Sequence, residues 1–199
     1  MTLDPFYPIV DSSAWVARLV ACGARLIQLR IKDKTETEIE REARASLALC
    51  EAQSATLVVN DHWRVALAIG APFVHLGQED LEEADLGAIR RAEVKFGIST
   101  HDEAELERAL RCSPDYIALG PIFPTVLKAM RFGPQGLERI GEWKRRIGDI
   151  PLVAIGGLNI ERGRQCLAAG ADIVSVVTDI TLNADPDARA REWVAGTRS

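Results

Sequence analysis

Eight times along this chain a short apolar run is followed by a stretch with helical periodicity, and that alternation limits the fold more than any other feature. The runs are Tyr7–Val10, Leu26–Leu29, Thr56–Val59, Phe73–Leu76, Val94–Ile98, Tyr116–Leu119, Leu152–Ile155 and Ile173–Val177. Each is rich in Val, Ile, Leu or aromatics and short enough for a buried strand. Between them lie helix signals. Leu106, Ala109 and Leu110 follow Asp102, a helix-start residue with acids just behind it. Ile160, Gly163 and Leu167 lead to Ala169-Gly170-Ala171, where a glycine suits a helix end before the next strand. Cys22-Gly23-Ala24 and Ile69-Gly70-Ala71 repeat that punctuation.

Strands alternating with helices imply a parallel sheet covered by helices. An open doubly wound sheet usually carries a glycine fingerprint after its first strand, and Val10-Asp11-Ser12-Ser13 is not one. A count of eight predicts a closed (β/α)8 TIM barrel. With 199 residues and no linker or low-complexity segment, residues 1–199 are expected to form one TIM-barrel catalytic domain.

Composition excludes several partners. A net charge of -5 leaves no basic footprint for nucleic acid. No apolar run reaches the length of a bilayer span, so no membrane association is expected. The opening MTLDPFYPIVDSS has no basic segment of the signal-peptide kind, and a cytoplasmic location is expected. Cys22, Cys50, Cys112 and Cys166 are scattered without a C-x-x-C pair, as reduced thiols would be.

Barrel enzymes gather their chemistry at the C-terminal ends of the strands, and unusual polar residues stand there. After the second run, Gln28 and Arg30 alternate to one side and Lys32 follows, a set able to fix a ligand and suited to phosphate. After the third comes Asn60-Asp61-His62, in which Asp61 is a helix cap or a metal ligand. After the fourth comes His75-Leu76-Gly77-Gln78-Glu79-Asp80. Asp61 and Asp80 end adjacent strands and are candidates for one Mg²⁺, with Glu79 the local rival. Ser99 or Thr100 follows the fifth run. The loop Gly120-Pro121-Ile122-Phe123-Pro124-Thr125-Val126-Leu127-Lys128 offers a hydroxyl at Thr125 and a cation at Lys128. Gly156-Gly157 after the seventh run and Val177-Thr178 after the eighth occupy the usual phosphate loops of such barrels. His75 reads as a hydrogen-bonded barrel residue, His62 and His101 as exposed helix-start residues. The four tryptophans read as helix-to-barrel packing, and no convincing nucleophile is present.

The order Gln28-Leu29-Arg30-Ile31-Lys32, Asn60-Asp61, His75-Leu76-Gly77-Gln78-Glu79-Asp80, Gly97-Ile98-Ser99, Gly120 to Thr125 with Lys128, and Ile155-Gly156-Gly157 resembles the thiamine phosphate synthase family from Tyr7 to about Ile180. The resemblance implies a condensation of hydroxymethylpyrimidine diphosphate with a thiazole phosphate, or its carboxylated form, giving thiamine phosphate and pyrophosphate. In that family the C–O bond breaks first and the thiazole nitrogen captures the pyrimidine-stabilised cation. It implies Mg²⁺ on Asp61 and Asp80. It assigns Arg30, Lys32, Asn60 and Lys128 to the diphosphate, with Arg30, Lys32 and Lys128 the catalytic cations, and Gln28 and Ser99 to the pyrimidine. Thr125, Gly157, Val177 and Thr178 fall to the thiazole phosphate. One departure is Leu127, where many members carry a second hydroxyl before the lysine. Loss of that contact would cost about 1.5–3 kcal/mol unless another group such as Arg131 replaced it. The Lys128 loop, rich in charge and poor in apolar anchors, is expected to order only with ligand. The rivals are a thiazole tautomerase, which carries a histidine where this chain has Pro121, and a silent phosphate-binding regulatory barrel. A homo-oligomer is compatible with the sequence.

Overall fold

The computed structural model describes residues 3–125 and 132–198. Their element order is β1 (Phe6–Val10), α1 (Ser13–Ala21), β2 (Leu26–Leu29), α2 (Glu36–Ala52), β3 (Thr56–Asn60), α3 (Trp63–Ile69), β4 (Phe73–Leu76), α4 (Asp80–Glu83), α5 (Leu86–Arg91), β5 (Lys95–Thr100), α6 (Glu103–Arg111), β6 (Tyr116–Leu119), α7 (Gly136–Ile147), β7 (Leu152–Ile155), α8 (Ile160–Ala168), β8 (Ile173–Val176), α9 (Thr178–Thr181) and α10 (Pro186–Thr197). The strands pair in parallel in sequence order, and β1 pairs with β8 to close the barrel.

All eight expected runs are strands, with small differences at their ends. β5 continues through Thr100 because Ser99 and Thr100 stay in register with Ala118 and Leu119 of β6. The Thr100 hydroxyl donates to the Ala118 carbonyl at 2.9 Å, so this polar residue extends the ladder. β8 stops at Val176, and Val177 already turns into α9. Asp102 caps α6 by accepting from the Glu105 amide at 2.9 Å, as its position predicts. Gly70 ends α3 in the left-handed conformation, at φ 70°.

The period of two along each strand sorts side chains into two layers. Phe6, Ile27, Leu57, Val74, Ile98, Ile117, Ala154 and Val174, one from each strand, face the helices and are fully buried. Tyr7, Leu26, Val58, Phe73, Tyr116, Ala118, Val153 and Ile173 fill the barrel. Trp143 and Trp193 pack fully between helix and barrel, whereas Trp15 and Trp63 are only partly covered. Trp193 of α10 stacks on Phe6 with ring centres 5.8 Å apart. A Cβ on Gly163 would stand 2.6 Å from the Trp193 ring, so α8 and α10 meet only because residue 163 lacks a side chain. Among the described residues no helix is long and apolar enough to cross a membrane.

Candidate active site

A cavity of about 720 Å³ opens at the C-terminal ends of the strands, a size suited to a small ligand. The strand alternation that fills the barrel with apolar side chains below places polar ones above. Gln28, Asn60, His75, Ser99 and Ser175 line the cavity, with Arg30, Lys32, Asp61 and Asp80 at its rim.

Asp61 is not a helix cap. It stands in the left-handed region at φ 60°, its amide bonded to the His75 carbonyl at 2.8 Å, and His62 takes the N-cap position of α3. This turn aims the carboxylate at Lys32, whose ammonium donates to it at 2.9 Å. Asp80, the first residue of α4, accepts from the Gly77 amide at 2.8 Å. The Asp61 and Asp80 carboxyls stand close enough that each acts on the charge of the other. Burial works to raise Asp61, but the Lys32 hydrogen bond and charge outweigh it and hold the carboxyl below its ordinary range. Burial, and then the Asp61 charge, hold Asp80 above that range, against the pull of the Gly77 amide. The two acids therefore form a close carboxyl pair displaced in opposite directions, Asp61 down and Asp80 up. Glu79, the rival, is exposed.

Beneath the rim runs a line of hydrogen bonds. The Gln28 carboxamide donates to the Tyr7 hydroxyl at 2.8 Å, and the Tyr7 and Tyr116 hydroxyls are 2.9 Å apart. Tyr116 meets Nδ1 of His75 at 2.8 Å, and Nε2 of His75 meets the Ser99 hydroxyl at 2.8 Å. Burial pulls His75 down to about 4, with Asp61 opposing and Arg30 assisting, so the ring is neutral near pH 7. His75 is thus the hydrogen-bonded barrel residue expected. Two buried polar atoms at this cavity, Gln78 Oε1 and Ser175 Oγ, have no hydrogen-bond partner among the described residues, which makes them candidates to meet a ligand.

The family model described as thiamine monophosphate synthase matches residues 6–180. The chain belongs to that family. A thiamine-phosphate synthase from Rhizobium etli is 57% identical over 197 residues, covering 99% of this chain and 97% of that one. One from Cronobacter sakazakii is 50% identical over 192 residues, covering 96% and 88%. The solved thiamine phosphate pyrophosphorylase from Pyrococcus furiosus superposes with a TM-score of 0.87 at 28% identity, covering 97% of this chain and 95% of that one. Membership in the thiamine monophosphate synthase family makes the chain a transferase of thiamine biosynthesis.

Within that family frame the expected residues fall into three sets. Gln28, Arg30, Lys32, Asn60, Asp61, Asp80 and Ser99 meet in one cavity. Thr125, Gly157 and Val177 lie on the loops after β6, β7 and β8, Thr178 opens α9, and none of the four lines it. Val126, Leu127, Lys128 and Arg131 lie outside the described residues. Gly156 and Gly157 have positive φ, and a Cβ on either would collide with the loop after β6, at 2.6 Å from Pro121 and 2.4 Å from the Pro124 carbonyl. The glycines therefore let two loops touch. The Arg162 guanidinium donates to the Gly157 carbonyl at 2.7 Å and lies over the Phe123 ring at 4.8 Å, tying these loops together.

Thr100 is removed from the candidates: fully buried, it accepts from the Trp143 indole at 3.0 Å and serves the barrel wall. His101 is half-buried, not exposed, with Nδ1 bonded to Glu105 at 2.7 Å and its ring stacked on Phe132. Tyr7, Tyr116, Gln78, Ser175 and Arg162 were absent from the expected set. For Tyr7 and Tyr116 a signal existed, since each stands at the inward phase of its strand and carries a hydroxyl that needs a partner.

Proposed function

We propose that the chain joins a hydroxymethylpyrimidine diphosphate to a thiazole phosphate in the presence of Mg²⁺, releasing pyrophosphate and forming thiamine phosphate. The observation that carries this reading is the Asp61–Asp80 pair beside Arg30 and Lys32 at the mouth of the cavity. Two carboxylates this close, each acting on the other's charge, suit a small dication between them. Among the described residues no third His, Cys, Asp or Glu joins them, which suits Mg²⁺ with waters and substrate oxygens completing its shell. When bound there, the ion supplies positive charge for the diphosphate.

The rest belongs to side chains. The C–O bond of the pyrimidinylmethyl diphosphate breaks, its electron pair leaves with pyrophosphate, and the thiazole nitrogen supplies the pair for the new C–N bond. Arg30 and Lys32, joined by Lys128, take up the charge that develops on the leaving group. Asn60 holds the diphosphate beside them. Gln28 and Ser99 orient the pyrimidine below, and Thr125, Gly157, Val177 and Thr178 hold the thiazole phosphate above. Such a step needs neither a base nor a nucleophile from the protein, in keeping with a neutral His75 whose two nitrogens are both occupied. That occupancy also disfavours a tautomerase, which needs an imidazole free to move protons.

The test is a turnover assay with both substrates, with and without Mg²⁺, following thiamine phosphate and pyrophosphate together. Both products should appear in equal amounts, and Asp61→Asn and Asp80→Asn should each demand more Mg²⁺ for the same rate. Absence of coupled product from the folded protein would refute the synthase reading.

A further inference from the structure

The hydrogen-bond line under the cavity has a direction, and the direction follows from counting protons. Gln28, Tyr7, Tyr116 and His75 are 2%, 1%, 0% and 7% exposed, so water cannot supply missing partners. The Gln28 amide nitrogen is only a donor and gives its hydrogen to the Tyr7 oxygen. The Tyr7 proton then has the Tyr116 oxygen as its acceptor, and the Tyr116 proton has Nδ1 of His75. Nδ1 must therefore carry a lone pair, which puts the ring proton on Nε2, aimed at the Ser99 oxygen. With Nδ1 protonated, Tyr116 would have to donate back to Tyr7, and the Tyr7 proton would be stranded against the Gln28 amide. An imidazolium would strand it in the same way. Burial also keeps both phenols protonated near pH 7, so each hydroxyl retains the proton that the count requires.

We propose that Tyr7, Tyr116 and His75 form a one-way hydrogen-bond chain that fixes opposite polarity at its two ends, an acceptor at Gln28 and a donor at Ser99. With its nitrogen committed to Tyr7, Gln28 has its carboxamide oxygen to offer a ligand. With its oxygen receiving from His75, Ser99 has its own proton to give. Both residues line the cavity. The pair therefore selects a heteroaromatic ring that carries an amino donor and a ring-nitrogen acceptor. Turning the Gln28 carboxamide would reverse every bond in the line together, so the two ends never offer the same polarity. Tyr7 and Tyr116 are positioning residues, acting on the ligand through the groups at the ends. This rests on the proposed pyrimidine substrate for its ligand, while the chain itself rests on the protein alone.

Nitrogen-15 NMR of the histidine-labelled full chain tests the direction without substrate. His75, assigned by comparison with a His75→Asn variant, should show a protonated Nε2 and an unprotonated Nδ1. In Tyr116→Phe, which removes the donor to Nδ1, that preference should collapse. Steady-state assays of the same variant should raise the KM for the pyrimidine diphosphate about tenfold, the weight of one buried hydrogen bond, and leave the KM for the thiazole phosphate unchanged. A pyrimidine analogue lacking the amino group should compete poorly with substrate in the parent protein and lose less further affinity in the variant. A protonated Nδ1 in the parent protein would overturn the proposal, as would an unchanged Nε2–H tautomer in Tyr116→Phe. Should Tyr116→Phe fail to fold, the parent spectrum decides alone. Loss of the synthase reading with the expected tautomer present would refute the substrate and leave the chain standing.

Discussion

Gly97→Ala probes the barrel interior at its tightest point. A Cβ at residue 97 would lie 2.0, 2.2 and 2.3 Å from Cζ, Cε2 and Cε1 of Tyr116, pressed against the face of the ring well inside contact distance. Restoring ordinary contact requires a shift of roughly 1.4 Å, and the ring has nowhere to go. It stacks on His75 at 5.6 Å, meets Tyr7 edge-on at 6.0 Å and Phe73 at 6.3 Å. Such a shift carries the hydroxyl away from Tyr7 and His75, at present 2.9 and 2.8 Å distant. Overpacking costs about 1–3 kcal/mol, and stranding two buried polar groups adds about 1–3 kcal/mol each, partly shared. The expected loss is about 3–6 kcal/mol, a large part of a typical domain's stability. In a chain of this size that lowers Tm by about 6–24 °C. Urea denaturation of Gly97→Ala, Tyr116→Ala and the double variant measures it as a cycle. The double variant should be little worse than Tyr116→Ala, because removing the ring removes the collision. A loss below about 1 kcal/mol in the single variant, or additive losses, would refute the argument.

Lys128→Ala should slow turnover at least tenfold, about 1.4 kcal/mol of transition-state stabilisation, with an unchanged urea midpoint; normal activity would make that loop structural. Leu127→Thr should lower the KM for the thiazole phosphate modestly and leave that for the pyrimidine diphosphate alone, which separate substrate titrations would read; loss of activity would mean that Leu127 packs against something essential. Burial pushes the Cys50 and Cys166 thiols up to about 12. A thiolate-directed reagent at pH 8 should therefore modify the partly exposed Cys112 first, as peptide mapping would show, and reach Cys50 and Cys166 only after unfolding.

The barrel was legible because eight apolar runs have one simple explanation, and strand ends shifted by no more than two residues, in β3 and β5 where polar residues joined the ladder. Thr100 illustrates the limit: its hydroxyl satisfies a carbonyl and an indole in the wall, a use that no local pattern distinguishes from ligand binding. Asp61 and Asp80 could be paired from adjacent strand ends, but their opposite displacements depend on burial and on the reach of Lys32 to Asp61, which only the fold sets. The Tyr7–Tyr116 contact joins residues 109 apart in sequence, and nothing near either residue announces the other. Arg162 was hidden for a similar reason, since a charged residue early in a helix ordinarily reads as solvated surface.

The seam between β1 and β8 has a consequence for how the chain is made. Phe6 lies opposite Val174, so closing the barrel joins points about 170 residues apart, at a chain-entropy cost of about 4–5 kcal/mol beyond the constant term. The clasp that holds the seam comes later still. Trp193 stacks on Phe6 of the first strand, donates to Asp179 at 2.8 Å and fills the gap over Gly163. A nascent chain that has emerged only to β7 carries an open sheet with two unsatisfied edges and has no α10 with which to fasten it. Synthesis from the N-terminus thus keeps the first strand waiting for the last helix, and ribosome-bound chains truncated before Trp193 should be the protease-sensitive ones.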